Sequence, residues 1–153
     1  MQENIKEILS LFFDQSSTKS LATNHYPPSY DGLKLDVGFG FGVPAKISWI
    51  AFLGQQQTPQ DGIFPVLYFF KEYRKLILAY GISETKRPKK SWLAPLGIKT
   101  IAQHFKALGI TPHKYGSSYV YETYSTYKDL DYEKLESDLK TLIDRYKKLL
   151  QLE

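Results

Sequence analysis

Apolar residues at Ile5, Ile8, Leu9, Phe12 and Phe13 recur at i, i+3, i+4, i+7 and i+8, the spacing that lays one stripe along a helix. The stripe ends at DQSSTKS, and the polar character continues through NHYPPSYDG, a composition of turns and loops. Leu33, Leu35, Val37, Phe39 and Phe41 then alternate with Lys34, Asp36, Gly38 and Gly40, which predicts a strand with one apolar face. Further strands are predicted at about 46–53, 63–70 and 75–82, separated by GQQQTPQDG and KEYRK, and SSYVYETY reads as another. Ile98, Ile101, Ala102, Phe105 and Leu108 predict a short helix closed by Gly109. From Asp131, as its N-cap, Tyr132, Leu135, Leu139, Leu142, Ile143, Tyr146 and Leu149 predict a long last helix. This order argues for an α+β fold: a mostly antiparallel curved sheet flanked by an N-terminal helix, a short middle helix and a long C-terminal helix.

Length and composition narrow this picture. The 153 residues fit one domain with a real core. Cysteine is absent, which removes disulfides and thiolate metal sites and fits a reducing cytoplasm. No apolar run approaches the ~20 residues that cross a membrane. The opening MQENIKEI also lacks a basic region leading into an apolar core, so a cytoplasmic location without a membrane partner is expected. A net charge of +4 together with 15% aromatic residues is compatible with a polyanionic, stacking partner such as nucleic acid.

Chemistry-bearing patterns are few. GFGFG (38–42) has neither the Lys-Ser/Thr of a P-loop nor the spacing of a dinucleotide loop. Its glycines fit a strand end where another backbone approaches closely. Phe39 shares a face with Leu33, Leu35 and Val37 and belongs to the core. Phe41, beside Gly42-Val43-Pro44, can protrude and wedge into a base stack. Trp49, Phe64 and Tyr68 fall on adjacent strands, with Val66 on the face of the latter two. They make either core or an aromatic-walled pocket for a flat ligand such as an extruded base. The basic runs KRPKK (86–90) and KEYRK (71–75) are either solvated surface or phosphate contacts. His25, His104 and His113 stand apart, no metal-ligand spacing occurs, and no catalytic residue is assigned. Asp61, Glu84 and Lys86 loosely imitate the carboxylates and lysine of Mg²⁺-dependent nucleases. An RNA- or protein-binding aromatic platform is a further alternative.

Six pieces occur in one order: YPPSY (26–30), GFGFG (38–42), WIAFLG (49–54), DGIFPVLYFF (61–70), LAYGIS (78–83) and KYGSSY (114–119). In that order and spacing, over almost the whole chain, they resemble the N-terminal DNA-binding domain of the McrB family. The resemblance implies a reader of duplex DNA carrying methylated or hydroxymethylated cytosine, with the modified base flipped into a pocket. It places Trp49, Phe64, Tyr68 and Tyr115 in that pocket and Phe41, flanked by Gly40 and Gly42, in the duplex. Lys46, Lys86, Arg87, Lys89 and Lys90 would contact phosphates. Against the family's Trp, Tyr and Leu, Phe64 loses a hydroxyl and Tyr68 adds bulk and a polar atom. The resemblance further implies a domain without cofactor or catalysis, a GTPase motor C-terminal to it in a longer polypeptide, and a separate nuclease subunit.

Overall fold

The computed structural model describes residues 4–40, 46–92, 97–111, 114–126 and 130–151. Phe41, Gly42 and His113 lie outside them.

Helix α1 (Ile5–Ser16) begins where the Asn4 side chain accepts from the Lys6 N–H at 2.9 Å, a polar cap on an otherwise orphaned donor. Its Ile5, Ile8, Leu9 and Phe12 are buried, as their spacing predicts. The helix ends in hydroxyls that turn back on its last carbonyls. Ser16 Oγ donates to Phe13 O (2.6 Å), Ser17 Oγ to Asp14 O (3.0 Å) and Thr18 Oγ1 to Gln15 O (2.7 Å).

Among the described residues six strands follow: β1 (Ser29–Tyr30), β2 (Leu33–Gly38), β3 (Ile47–Leu53), β4 (Ile63–Phe70), β5 (Lys75–Ile82) and β6 (Tyr119–Ser125). They form one open sheet in chain order, every neighbouring pair antiparallel. Two sequence expectations are corrected here. Strand β2 stops at Gly38, so Phe39 lies beyond it, although Phe39 is still buried against Phe12 at 5.2 Å between ring centres. The middle helix α2 is Ile101–Lys106, so Ile98 precedes it, and Leu108 is 51% exposed. The start is set by a capping box in which Gln103 N donates to Thr100 Oγ1 (3.1 Å) and Thr100 N to Gln103 Oε1 (2.9 Å). Gly109, at φ +75°, follows it in the left-handed region.

The last helix, α3 (Tyr132–Gln151), starts where Asp131 Oδ1 accepts from Lys134 N at 3.1 Å. Leu135, Leu139, Leu142, Ile143 and Tyr146 are its buried stripe. Period-two alternation gives the sheet two faces. Phe69 packs edge-on to Phe13 of α1, and Tyr80 receives Arg145 Nη1 of α3 at 2.8 Å. Both helices therefore cover one face. Phe70 packs on Phe105 of α2, so α2 and the turn before β6 lie on the other. Among the described residues no helix is long and apolar enough to cross a membrane.

The β3–β4 ladder runs only as far as Ala51 opposite Val66. The next residue on β4, Pro65, has no N–H to extend it. The separated ends are bridged by the Tyr146 hydroxyl, which accepts from Gly54 N (2.9 Å) and donates to Ile63 O (2.8 Å).

Candidate functional site

On the face away from α1 and α3, Trp49, Tyr68 and Phe64 project from β3 and β4. Register decides what each ring lies on. Trp49 stands opposite Gly38 of β2, and a Cβ on that glycine would meet indole carbons at 2.4 Å. Phe64 stands opposite Gly81 of β5, where a Cβ would meet the phenyl ring at 2.7 Å. The expectation that Gly38 admits another backbone is therefore corrected: it admits a side chain. Trp49 leans outward over β2 and Phe64 outward over β5. Between them lies the row Ala51, Val66 and Ala79, each wholly buried. Two rings splayed over glycines, with small residues beneath, leave a cavity of about 280 Å³.

Its fourth aromatic comes from the turn before β6. Tyr115 stacks on Tyr68 with ring centres 4.4 Å apart and planes 17° apart. That stack covers one face of Tyr68, which is only 2% exposed, so Tyr68 and Tyr115 act as one wall. Tyr115 sits at φ +67°, a conformation few non-glycine residues adopt. Glu84 holds it there: its carboxylate accepts from Tyr115 N (3.0 Å) and Ser117 Oγ (3.3 Å). Burial raises the hydroxyl pKa of Tyr68, with Ser118 hydrogen-bonding to it. Burial and then the Glu84 charge raise that of Tyr115, with Trp49 hydrogen-bonding to it. Both phenols stay neutral near pH 7 and keep a proton to donate.

Pro59, Gln60, Ile82, Glu84, Thr85 and Lys114 complete the lining. The structure thus brings together all four residues assigned from sequence, Trp49, Phe64, Tyr68 and Tyr115. A cavity just below the about 300–1,000 Å³ usual for ligands, with flat walls and a polar rim, can hold a planar heterocycle and hydrogen-bond its edge.

No protein-family model matches the chain. Over 148 residues, 95% of its length, it is 38% identical to the Type IV methyl-directed restriction enzyme EcoKMcrB subunit of Escherichia coli (strain K12). The chain belongs with the McrB N-terminal domains. It spans 32% of that relative's length.

In this McrB-type domain the other predicted residues divide. Lys86, Arg87 and Lys89 are exposed on the loop that follows the Glu84–Thr85 edge of the cavity, and Lys86 N donates to Gln60 O at 3.0 Å. Lys89 and Lys90 line a separate recess with Asp61 and Gly62. Lys46 opens onto neither; it lines a depression on the opposite sheet face. Gly40, at φ +115°, occupies a backbone region that favours glycine, next to Phe41 and Gly42 outside the described residues. The nuclease-like trio is not assembled around one cavity. Asp61 pairs with Thr58 in a turn and faces the Lys89–Lys90 recess, while Glu84 serves Tyr115 and Ser117. Among the described residues no three His, Cys, Asp or Glu groups gather to hold a metal. Sequence reasoning missed Gln60 and Lys114 at the rim and read Glu84 only as a metal ligand. The Glu84–Tyr115 contact spans 31 positions, and no local pattern announces it.

Proposed function

We propose that this domain binds duplex DNA containing methylated or hydroxymethylated cytosine and holds the modified base, flipped out, in the cavity between Trp49 and Phe64. The observation that carries this reading is the cavity itself: two aromatic rings displaced over glycines around a small-residue floor, in a chain similar to a methyl-directed restriction subunit. The base lies over Val66, with the Tyr68–Tyr115 stack as its side wall. Gln60, Glu84 and the phenol groups face its hydrogen-bonding edge, and a carboxylate is the natural acceptor for cytosine's exocyclic amine. Extrusion costs a few kcal/mol, offset by stacking worth about 1–3 kcal/mol and by phosphate neutralisation at Lys86, Arg87, Lys89 and Lys90. Phe41, between Gly40 and Gly42, fills the space the base leaves.

Tyr68 adds bulk and a hydroxyl to the wall, and Phe64 offers a flat face without a polar atom. Their effect falls on selectivity among modifications, where one methyl or hydroxyl is worth ~1–3 kcal/mol. The domain is a recognition module without chemistry of its own. In the full assembly a GTPase motor in the same polypeptide and a separate nuclease subunit act on what it recognises.

The test is binding to one duplex sequence with and without modified cytosine, with Mg²⁺ present, for wild type and Trp49→Ala. The modified duplex binds more tightly, Trp49→Ala removes the difference, and neither duplex is cut. Equal affinity of the wild type for both duplexes would defeat the reading.

A further inference from the structure

A second set of cations lies away from the base cavity. On the α1 face of the sheet, a depression of about 770 Å³ is lined by Lys19, Lys46, Lys71 and Arg74, and among the described residues its one carboxylate is Glu72. Ser20 and Ser48 add hydroxyl donors around a floor of Phe39 and Phe69, while Ser16 and Thr18 spend theirs on the last carbonyls of α1. Lys71 is committed to the fold, since its Nζ donates to Ser16 O at 2.6 Å and offsets the negative end of α1. Lys19 and Lys46 are exposed. Cations mixed with hydroxyl donors are the chemistry that positions phosphodiester oxygens without reading sequence.

The placement of this groove is as informative as its charge. Ser48 and Phe69 line it, and the next residues in register, Trp49 and Tyr68, line the base cavity. Adjacent side chains on a strand point to opposite faces, so the two depressions are back to back on the same stretch of β3 and β4. We propose that the groove takes the phosphodiester backbone of the same duplex whose base enters the cavity, so that the DNA straddles the end of the sheet where β3 begins, at Ser48 and Trp49. This inference rests on the proposed function and adds a second phosphate track to the 86–90 loop.

The experiment titrates the Lys19→Gln/Lys46→Gln double variant against modified and unmodified forms of one duplex across a series of KCl concentrations. Both affinities should fall by the same factor, with their ratio unchanged. The slope of log K against log salt should shrink by about 1 per cation removed, roughly 2 in all. A wild-type slope overturns the groove. The charge-reversed Lys19→Glu/Lys46→Glu variant, checked by circular dichroism and Tm to be folded, should lose more affinity, and an unchanged slope there also overturns it. Wild-type failure to distinguish the two duplexes would sink the base-cavity reading alone, because the groove is still read from the slope on unmodified DNA. A larger slope change on the matching RNA duplex than on DNA overturns the assignment to DNA.

Discussion

Replacing Gly38 by alanine tests how the cavity is built. Its backbone is not in the left-handed region, so alanine meets no conformational obstacle there. The new methyl group would stand 2.4 Å from two indole carbons of Trp49 and 2.8 Å from its Nε1. Reaching the 3.4 Å of ordinary contact requires the indole to move by 3.4 − 2.4, about 1 Å. With β2 beneath it, the ring can only lift away from Gly38 and toward the cavity. Overpacking of this kind costs about 1–3 kcal/mol, and replacing a strand glycine returns roughly 0.5–1 kcal/mol, so the net loss of stability is at most about 2.5 kcal/mol. The loss of binding should be larger in consequence. A base that no longer stacks forfeits about 1–3 kcal/mol, roughly 5- to 150-fold in affinity, for the modified duplex only. Urea unfolding and anisotropy titrations with the paired duplexes measure the two effects separately. A folded Gly38→Ala protein that keeps wild-type preference for modified DNA would refute this account of the cavity.

Three further expectations follow from single contacts. Glu84→Ala removes the acceptor for Tyr115 N and Ser117 Oγ. Amide exchange at Tyr115 should accelerate and modified-duplex affinity drop several-fold; unchanged exchange there would show that the turn holds itself. Tyr146→Phe strips the hydroxyl that links Gly54 N to Ile63 O. Urea unfolding should register a loss of about 1–3 kcal/mol, whereas a loss near zero would mean that those backbone groups find other partners. For His104, burial first and then Lys75 and Lys99 hold the imidazole pKa below its ordinary 6.5. Folding therefore resists its protonation: the contribution is present above about pH 6.5 and is lost as pH falls below it. The Tm drop between pH 7.5 and pH 5 should be smaller in His104→Gln, and an equal drop counts against the assignment.

Most of the scaffold was legible because the chain's apolar periods are local. The α1 stripe, the alternation through β2 and the α3 stripe each needed only a dozen or so neighbouring residues. The errors fell where a local pattern was outvoted. Leu108 has helical spacing, yet Thr100 and Gln103 start α2 late and the chain turns at Gly109 before a second helical turn can bury it. Alternation also carried the predicted β2 past Gly38 to Phe41, although pairing with β3 stops at Gly38 opposite Trp49. The aromatic set was recognised as residue types, whereas the reason it encloses space was hidden. The Gly38–Trp49 and Phe64–Gly81 pairings are facts of register between strands, and one-residue slips would have put each ring on another neighbour. The grouping of Lys19 with Lys46 was likewise invisible, because it joins the loop after α1 to the start of β3.

Tyr115 carries a consequence for timing. Its left-handed backbone, the Glu84 anchor and the stack on Tyr68 are all held by contacts within the chain. The cost of ordering that wall is met during folding, not at encounter. In the proposed reading, a base arriving from the duplex meets a finished receptor, so the slow step of recognition is the opening of the base pair. Association rates should then follow the ease of unstacking at the modified site, faster beside a mismatch and slower within G·C-rich flanks. The lifetime of the complex should follow the cavity walls.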